Sequence, residues 1–302
     1  MKNFFFFAAF ATCAIAACNR NTAPEAVSSN NGGNDEITFE AKGLSAEVDV
    51  KSVTVTKTET LTQFNVAATV DGESSEEYAW SSPHYVLFSK QSGSSNFAGD
   101  KFWPKDDPKF HFYASNATLN CSAGTTPAVT ATNTTDVVCA YLANPSYKAS
   151  NTLTFRHIFA RLGTVTIAAP DQGYSFKSVK ITLTPIEGGT YNIKKGYGKT
   201  DATGWSDTSA GTTLTIASAQ GVNAASDEYL VPGKYDITAT YTLKKDLYEK
   251  EFTKTGSVDI QGGKINNISA SLPTPESGEG AVDIIFTVSV VAWENANVNA
   301  SF

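Results

Sequence analysis

The sequence predicts an all-β chain of two sandwich domains, on three observations. Nearly every apolar segment after residue 35 is short, β-branched and alternating; Gly, Asn, Asp, Ser and Pro fill the spaces between; and no segment carries the apolar period of an amphipathic helix. With 302 residues, 41 % of them hydrophobic, the chain can bury a sizeable core, and its length favours two domains.

Residues 1–17 read as a lipoprotein signal peptide. Lys2 supplies the basic start, and Phe4 through Ala14 form an apolar run too short to cross a bilayer as a stable anchor. Ile15-Ala16-Ala17-Cys18 then places two small residues directly before a cysteine, the pattern a lipoprotein signal peptidase needs. Cys18 is the expected mature N-terminus and lipidation site, its thiol and freed amine taking several acyl chains that together give stable anchoring. Residues 18–35 are rich in Asn, Ser, Ala and Gly with hardly an aliphatic side chain, and are expected to be a flexible tether.

The first domain is expected over 36–169. Its first strand is Glu36 to Ala41, with Ile37 and Phe39 facing one way. In Ala46 to Thr56, Val48 and Val50 share a face while Val53 and Val55 have the opposite parity, so a bulge is expected near Lys51. Further strands are expected at Phe64–Val70, Tyr85–Phe88, Phe110–Tyr113, Val137–Leu142 and Leu153–Ile167. Ala169-Pro170-Asp171-Gln172-Gly173 punctuates two strand patterns and reads as a domain junction.

The second domain is expected over 170–302. Phe176–Leu183 is a strand, Gly188 to Gly211 reads as a Gly-rich loop, and Leu214, Ile216 and Tyr235–Leu243 continue the alternation. Lys264–Leu272 and Val282–Trp293 complete it.

The net charge of −7 argues against a nucleic-acid partner. No later apolar run has the length of a transmembrane helix, so lipid is the expected membrane attachment. Cys13 leaves with the signal peptide and Cys18 is acylated. Cys121 and Cys139 are then expected as a disulfide in an oxidising compartment, the alternative being two buried free thiols.

No enzyme site emerges. His84, His111 and His157 are scattered without metal-ligand spacing, so no metal is expected. No Gly-x-Ser-x-Gly elbow occurs, Asp106-Asp107 sits between prolines as a solvated turn, and Gly196-Tyr197-Gly198 lacks the context of a phosphate loop. No cofactor is expected. Trp80, Trp103 and Trp205 lie in or beside polar loops, either as ligand-facing platforms for sugar stacking or as plugs at the sandwich ends.

Four phrases carry a resemblance. They are Ile37-Thr38-Phe39 followed by Thr60-Leu61 and Phe64; Phe102-Trp103-Pro104 with Phe110-His111-Phe112-Tyr113-Ala114; Leu153 through Leu162; and Tyr229-Leu230-Val231-Pro232-Gly233. In this order they resemble the fimbrillin-like family of Bacteroidetes surface lipoproteins, which includes subunits of type V pili.

The resemblance implies two transthyretin-like, Greek-key sandwiches at the outer membrane and cell surface, and a non-catalytic pilus subunit that contributes to adhesion. It also implies assembly with other pilus subunits by strand exchange. A protease cuts beyond the first strand, that strand leaves, and a neighbour's C-terminal strand fills the groove by β-augmentation.

Mapped here, the leaving strand is Glu36 to Ala41. The donor presents Val282, Ile284, Phe286, Val288, Val290 and Ala292 on one face, unless it is simply this subunit's own last core strand. The processing candidates are Lys42, Lys51 and Lys57, because no arginine falls between the first two strands, a departure from an arginine-specific cut. The alternative is a monomeric surface lipoprotein that binds a host or bacterial glycan or protein through its loops.

Overall fold

The computed structural model describes residues 35–44, 61–70, 77–105, 109–168, 173–218, 221–224, 228–271 and 285–293. Cys18, Lys51, Lys57, Val282, Ile284, the expected bulge near Lys51 and Asp106-Asp107 lie outside them. The described residues form an all-β architecture with one four-residue helix.

In the first half the strands are β1 (Glu36–Lys42), β2 (Gln63–Val70), β3 (Glu77–Tyr78), β4 (Tyr85–Lys90), β5 (Asn96–Phe102), β6 (Phe110–Ser115), β7 (Leu119–Asn120), β8 (Ala128–Thr132), β9 (Val138–Ala143), β10 (Asn151–Thr154) and β11 (Arg156–His157). All but β7 and β8 form one sheet in the order β10-β1-β5-β4-β2-β6-β9-β11, with β3 on β2. The two end strands of that order are separated in sequence by Phe155 alone, and β10 also lies against β9, so the sheet curls back on itself.

Inside the curl sits an aromatic core. Phe39, Phe64, Phe88, Phe112 and Phe155 are almost wholly buried there with Ile37, Val66 and Leu153. The rings meet edge-on and tilted, as the Phe39 and Phe112 centroids do at 4.9 Å, an arrangement that suits their quadrupoles. β6 is buried on both faces: Phe110, Phe112 and Ala114 point into this core, while Tyr113 points into a second one on the outside of the sheet. The unbroken apolar run of the β6 sequence reflects that double burial.

In the second half the elements are β12 (Ala160–Ala168), β13 (Ser175–Leu183), β14 (Ile186–Asn192), α1 (Ile193–Gly196), β15 (Trp205–Ala210), β16 (Leu214–Ala217), β17 (Gly221–Ala224), β18 (Tyr229–Leu230), β19 (Gly233–Lys245), β20 (Tyr248–Ile260), β21 (Lys264–Ser271) and β22 (Ile285–Ala292). One sheet runs β17-β12-β21-β22 with β18 on β12, and another runs β16-β13-β19-β20. Their inward residues, Leu162, Ile167, Ile181, Ile237, Tyr241 and Ile268 among them, form a third core.

Two expectations are corrected here. The junction expected at 169–170 is not where the cores divide, since β12 ends at Ala168 yet buries Ala160, Leu162, Val165 and Ile167 in the core of the second half. The seam lies just before Ala160, and the strand expected over Leu153–Ile167 is three strands that break at Phe155 and at Ile158-Phe159. A fourth sheet, β15-β14-β8-β7, then joins residues of both halves across the seam.

The piece expected to be a loop, Gly188 to Gly211, holds most of β14, α1 and β15. Gly188 and Gly189 are packing residues. A Cβ on Gly188 would lie 2.2 Å from the Ala131 carbonyl oxygen, so glycine is what lets β14 lie against β8.

Candidate functional site

β1 occupies a slot between two strands. It runs antiparallel to β5, with Thr38 opposite Ala98, Phe39 opposite Phe97 and Glu40 opposite Asn96. On its other edge it runs parallel to β10, from Phe39 opposite Asn151 to Lys42 opposite Thr154. The ladder extends past both ends: Trp103 N–H donates to the Asp35 carbonyl and Phe155 N–H to the Lys42 carbonyl, each at 2.8 Å.

The slot has a wall of pockets. Ile37 and Phe39 are 0 % exposed, and the Phe39 ring lies 5.2 Å from Phe88. Burying each such side chain stabilises by about 1.5–3 kcal/mol. At the entrance, Lys148 Nζ donates to Asp35 Oδ2 at 2.8 Å, and that hydrogen bond raises the Lys148 pKa.

At the exit, Gly43 has φ +97°, and a Cβ there would lie 2.6 Å from the Phe155 carbonyl oxygen. Only glycine fits such a turn. Lys42, just before it, is solvent-exposed with its ammonium 3.3 Å from Glu40.

β22 is the other element of interest. It pairs antiparallel with β21, from Lys264 opposite Ala292 to Ser271 opposite Ile285, and among the described residues ends its sheet with that one strand neighbour. Phe286 and Val288 pack partly on the third core, whereas Val290, on the same face by parity, is 41 % exposed. Ile285 and Val291 are more than half exposed. Among the described residues β22 is thus an edge strand whose apolar side chains are only in part buried.

Trp293, the residue after β22, reaches away from that core into the one at the seam. Its indole stacks on His157 with centroids 4.1 Å apart and planes 2° apart, and lies 5.2 Å from Tyr229. His157 is itself fixed, its Nδ1 donating to Asp136 Oδ1 at 2.8 Å with both side chains buried. No spacing in the sequence pointed to this pair; the signal available was a lone tryptophan directly after an apolar strand.

The remaining site candidates fall as follows. Trp80 and Trp103 are core residues rather than ligand-facing platforms, packed on Phe88 and Phe112 and on Phe110, Phe112 and Tyr147 respectively. Trp205 is half-buried against Phe159 and Tyr191.

Cys121 and Cys139 are free thiols instead of a disulfide. Cys139 Sγ donates to Ser115 Oγ at 3.5 Å. Burial pushes its pKa up to about 12 and that of Cys121 up to about 11. The histidines bind separate partners: His84 the Trp80 carbonyl, His111 the Tyr141 hydroxyl and His157 the Asp136 carboxylate. Among the described residues no three His, Cys, Asp or Glu side chains gather into a metal-binding group, and no helix is long and apolar enough to cross a membrane.

No family model and no curated protein matches the chain. Among solved structures it is similar to a candidate cell adhesion protein from Parabacteroides distasonis, with a TM-score of 0.49 and 10 % identity over 86 % of this chain and 96 % of that one. It is also similar to a fimbrial protein from Bacteroides vulgatus, with a TM-score of 0.45 and 13 % identity over 85 % and 99 %. A fimbrial assembly protein from Parabacteroides distasonis aligns with a TM-score of 0.39 and 12 % identity over 85 % and 98 %. These three solved structures are of bacterial cell adhesion and fimbrial proteins.

Proposed function

We propose that the chain is a non-catalytic structural subunit of a cell-surface pilus, held at the outer membrane through lipid on Cys18, assembled by β-strand exchange and contributing to adhesion. The observation that carries this reading is the β1 slot: a short strand laddered on both edges, with two pockets for alternate apolar side chains and an exposed lysine just beyond them. Such a slot, once emptied, offers an incoming strand main-chain partners on both sides and pockets that set its register.

β22 suits the role of the incoming strand. An edge strand with exposed apolar residues is an aggregation liability in a finished monomer, and becomes an asset where a neighbour covers it. The rival reading, a monomer that binds glycan through loop aromatics, is weakened because Trp80 and Trp103 are buried in the core.

Mild trypsin treatment of the chain, read by mass spectrometry and size-exclusion chromatography, tests the proposal. Loss of a fragment ending at Lys42, Lys51 or Lys57 together with the growth of oligomers is expected. Cleavage there with no oligomers, or resistance throughout with a persistent monomer, overturns strand exchange for this chain.

A further inference from the structure

We infer that Trp293 is a latch: its stacking on His157 clamps β22 to its own subunit, and β22 becomes available to a neighbour only when that stack opens. The donation step rests on the strand-exchange reading; the clamping does not.

The grip on β22 without Trp293 is slight. Among the described residues one strand, β21, holds it by main-chain bonds, and of its described apolar side chains Phe286 and Val288 alone pack on a core, each in part. Ile285 and Val291 face solvent, and Val290, although on the core-facing side, is 41 % exposed. Strands with few buried contacts and one ladder open locally long before the whole fold does.

Trp293 changes that balance because it inserts at the seam and not in the core beneath β22. Its platform is rigid. The His157 ring is tied to Asp136, and its backbone pairs with Val138 of β9, so the platform belongs to the first sheet. Tyr229, its ring tilted against the indole, is held by β18 against Arg161 of β12. One side chain therefore fastens the C-terminal strand of the second half to the body of the first.

The contact is also built to open. Among the described residues neither Trp293 Nε1 nor His157 Nε2 has a hydrogen-bond partner, so the clamp they form consists of stacking and apolar burial. A buried N–H without an acceptor regains water when it is released, which lowers the cost of release. A hydrogen-bonded indole would hold more firmly.

Hydrogen–deuterium exchange on the full chain, comparing the wild type with Trp293→Ala and Trp293→Phe, tests the latch. In Trp293→Ala, amides of 285–292 are expected to exchange at least about tenfold faster while peptides from β2 and β6 are unchanged, as for a locally opened segment. Trp293→Phe, which keeps a stacking ring, should stay within a few-fold of wild type.

Equal exchange of 285–292 in wild type and Trp293→Ala overturns the latch, and so does a uniform acceleration that includes β2 and β6, which would make Trp293 an ordinary core residue. These readouts are taken on unassembled protein. A failure of strand exchange in the trypsin experiment therefore leaves the clamping intact, and a failure here leaves strand exchange intact.

Discussion

Gly256 of β20 and Phe286 of β22 meet so closely that a Cβ on Gly256 would lie 2.6 Å from Phe286 Cδ2. The bare backbone of β20 is what gives the Phe286 ring its place between the two sheets of the second half. Gly256→Val should expel that ring and destabilise the chain by about 1–3 kcal/mol in urea unfolding, as overpacking does. Adding Phe286→Ala should give back part of the loss, and the double-mutant cycle should show a coupling of about 0.5–3 kcal/mol.

Phe39→Ala empties one of the two pockets of the β1 slot. Phe39 is wholly buried against Phe88 and Phe112, so the cost is expected at about 3–5 kcal/mol by denaturant unfolding. A cost below about 1 kcal/mol, typical of a surface change, would mean that β1 contributes little to the fold.

Asp136→Ala removes the acceptor for His157 Nδ1 in a buried site. Leaving that N–H unsatisfied should cost about 1–3 kcal/mol in thermal or urea unfolding. His157→Phe combined with Asp136→Ala should cost less than the sum of the two single changes, because the polar partners are then removed together.

The thiols give a pH signature. Burial raises Cys121 from 9.0 to about 11 and Cys139 from 9.0 to about 12, against weaker opposing pulls from hydrogen bonds to Tyr78 and Ser115. The folded pKa values exceed the unfolded one, so the neutral thiols support the fold in full below pH 9 and their contribution is lost as pH climbs through 11 to 12. A disulfide reagent at pH 8 should therefore label Cys121 slowly and Cys139 only after unfolding. Quantitative recovery of a bridged peptide from native protein would show instead that the two cysteines pair.

Strand periodicity was legible because a half-buried strand alternates. Ile37 and Phe39, Phe110 and Phe112, and Tyr235 through Leu243 all fall on the faces their spacing implies. What alternation cannot state is which strand lies next door, and this is why the seam was misplaced: Ala160–Ala168 reads as a strand wherever its partners are.

β20 escaped notice for a different reason. Its thirteen residues bury Phe252, Val258 and Ile260 alone, and its outer face is polar, with Thr255 opposite Thr238 and Thr253 opposite Thr240 of β19. The Gly188–Gly211 piece was obscured by glycines that usually mark turns, of which Gly188 and Gly189 here let backbones approach. Of the candidate site, Glu36–Ala41 and its two inward residues were readable. The stack of Trp293 on His157 was not, since it joins residues 136 positions apart.

The sheet made of β7, β8, β14 and β15 has a mechanical meaning. β8 and β14 are joined in register from Ala128 opposite Asn192 to Thr132 opposite Gly188, although a long stretch of chain separates them. A force that draws the two halves apart meets this ladder before it can stretch the backbone at the seam. Under tension the chain should behave as a single stiff rod and not as two beads on a string.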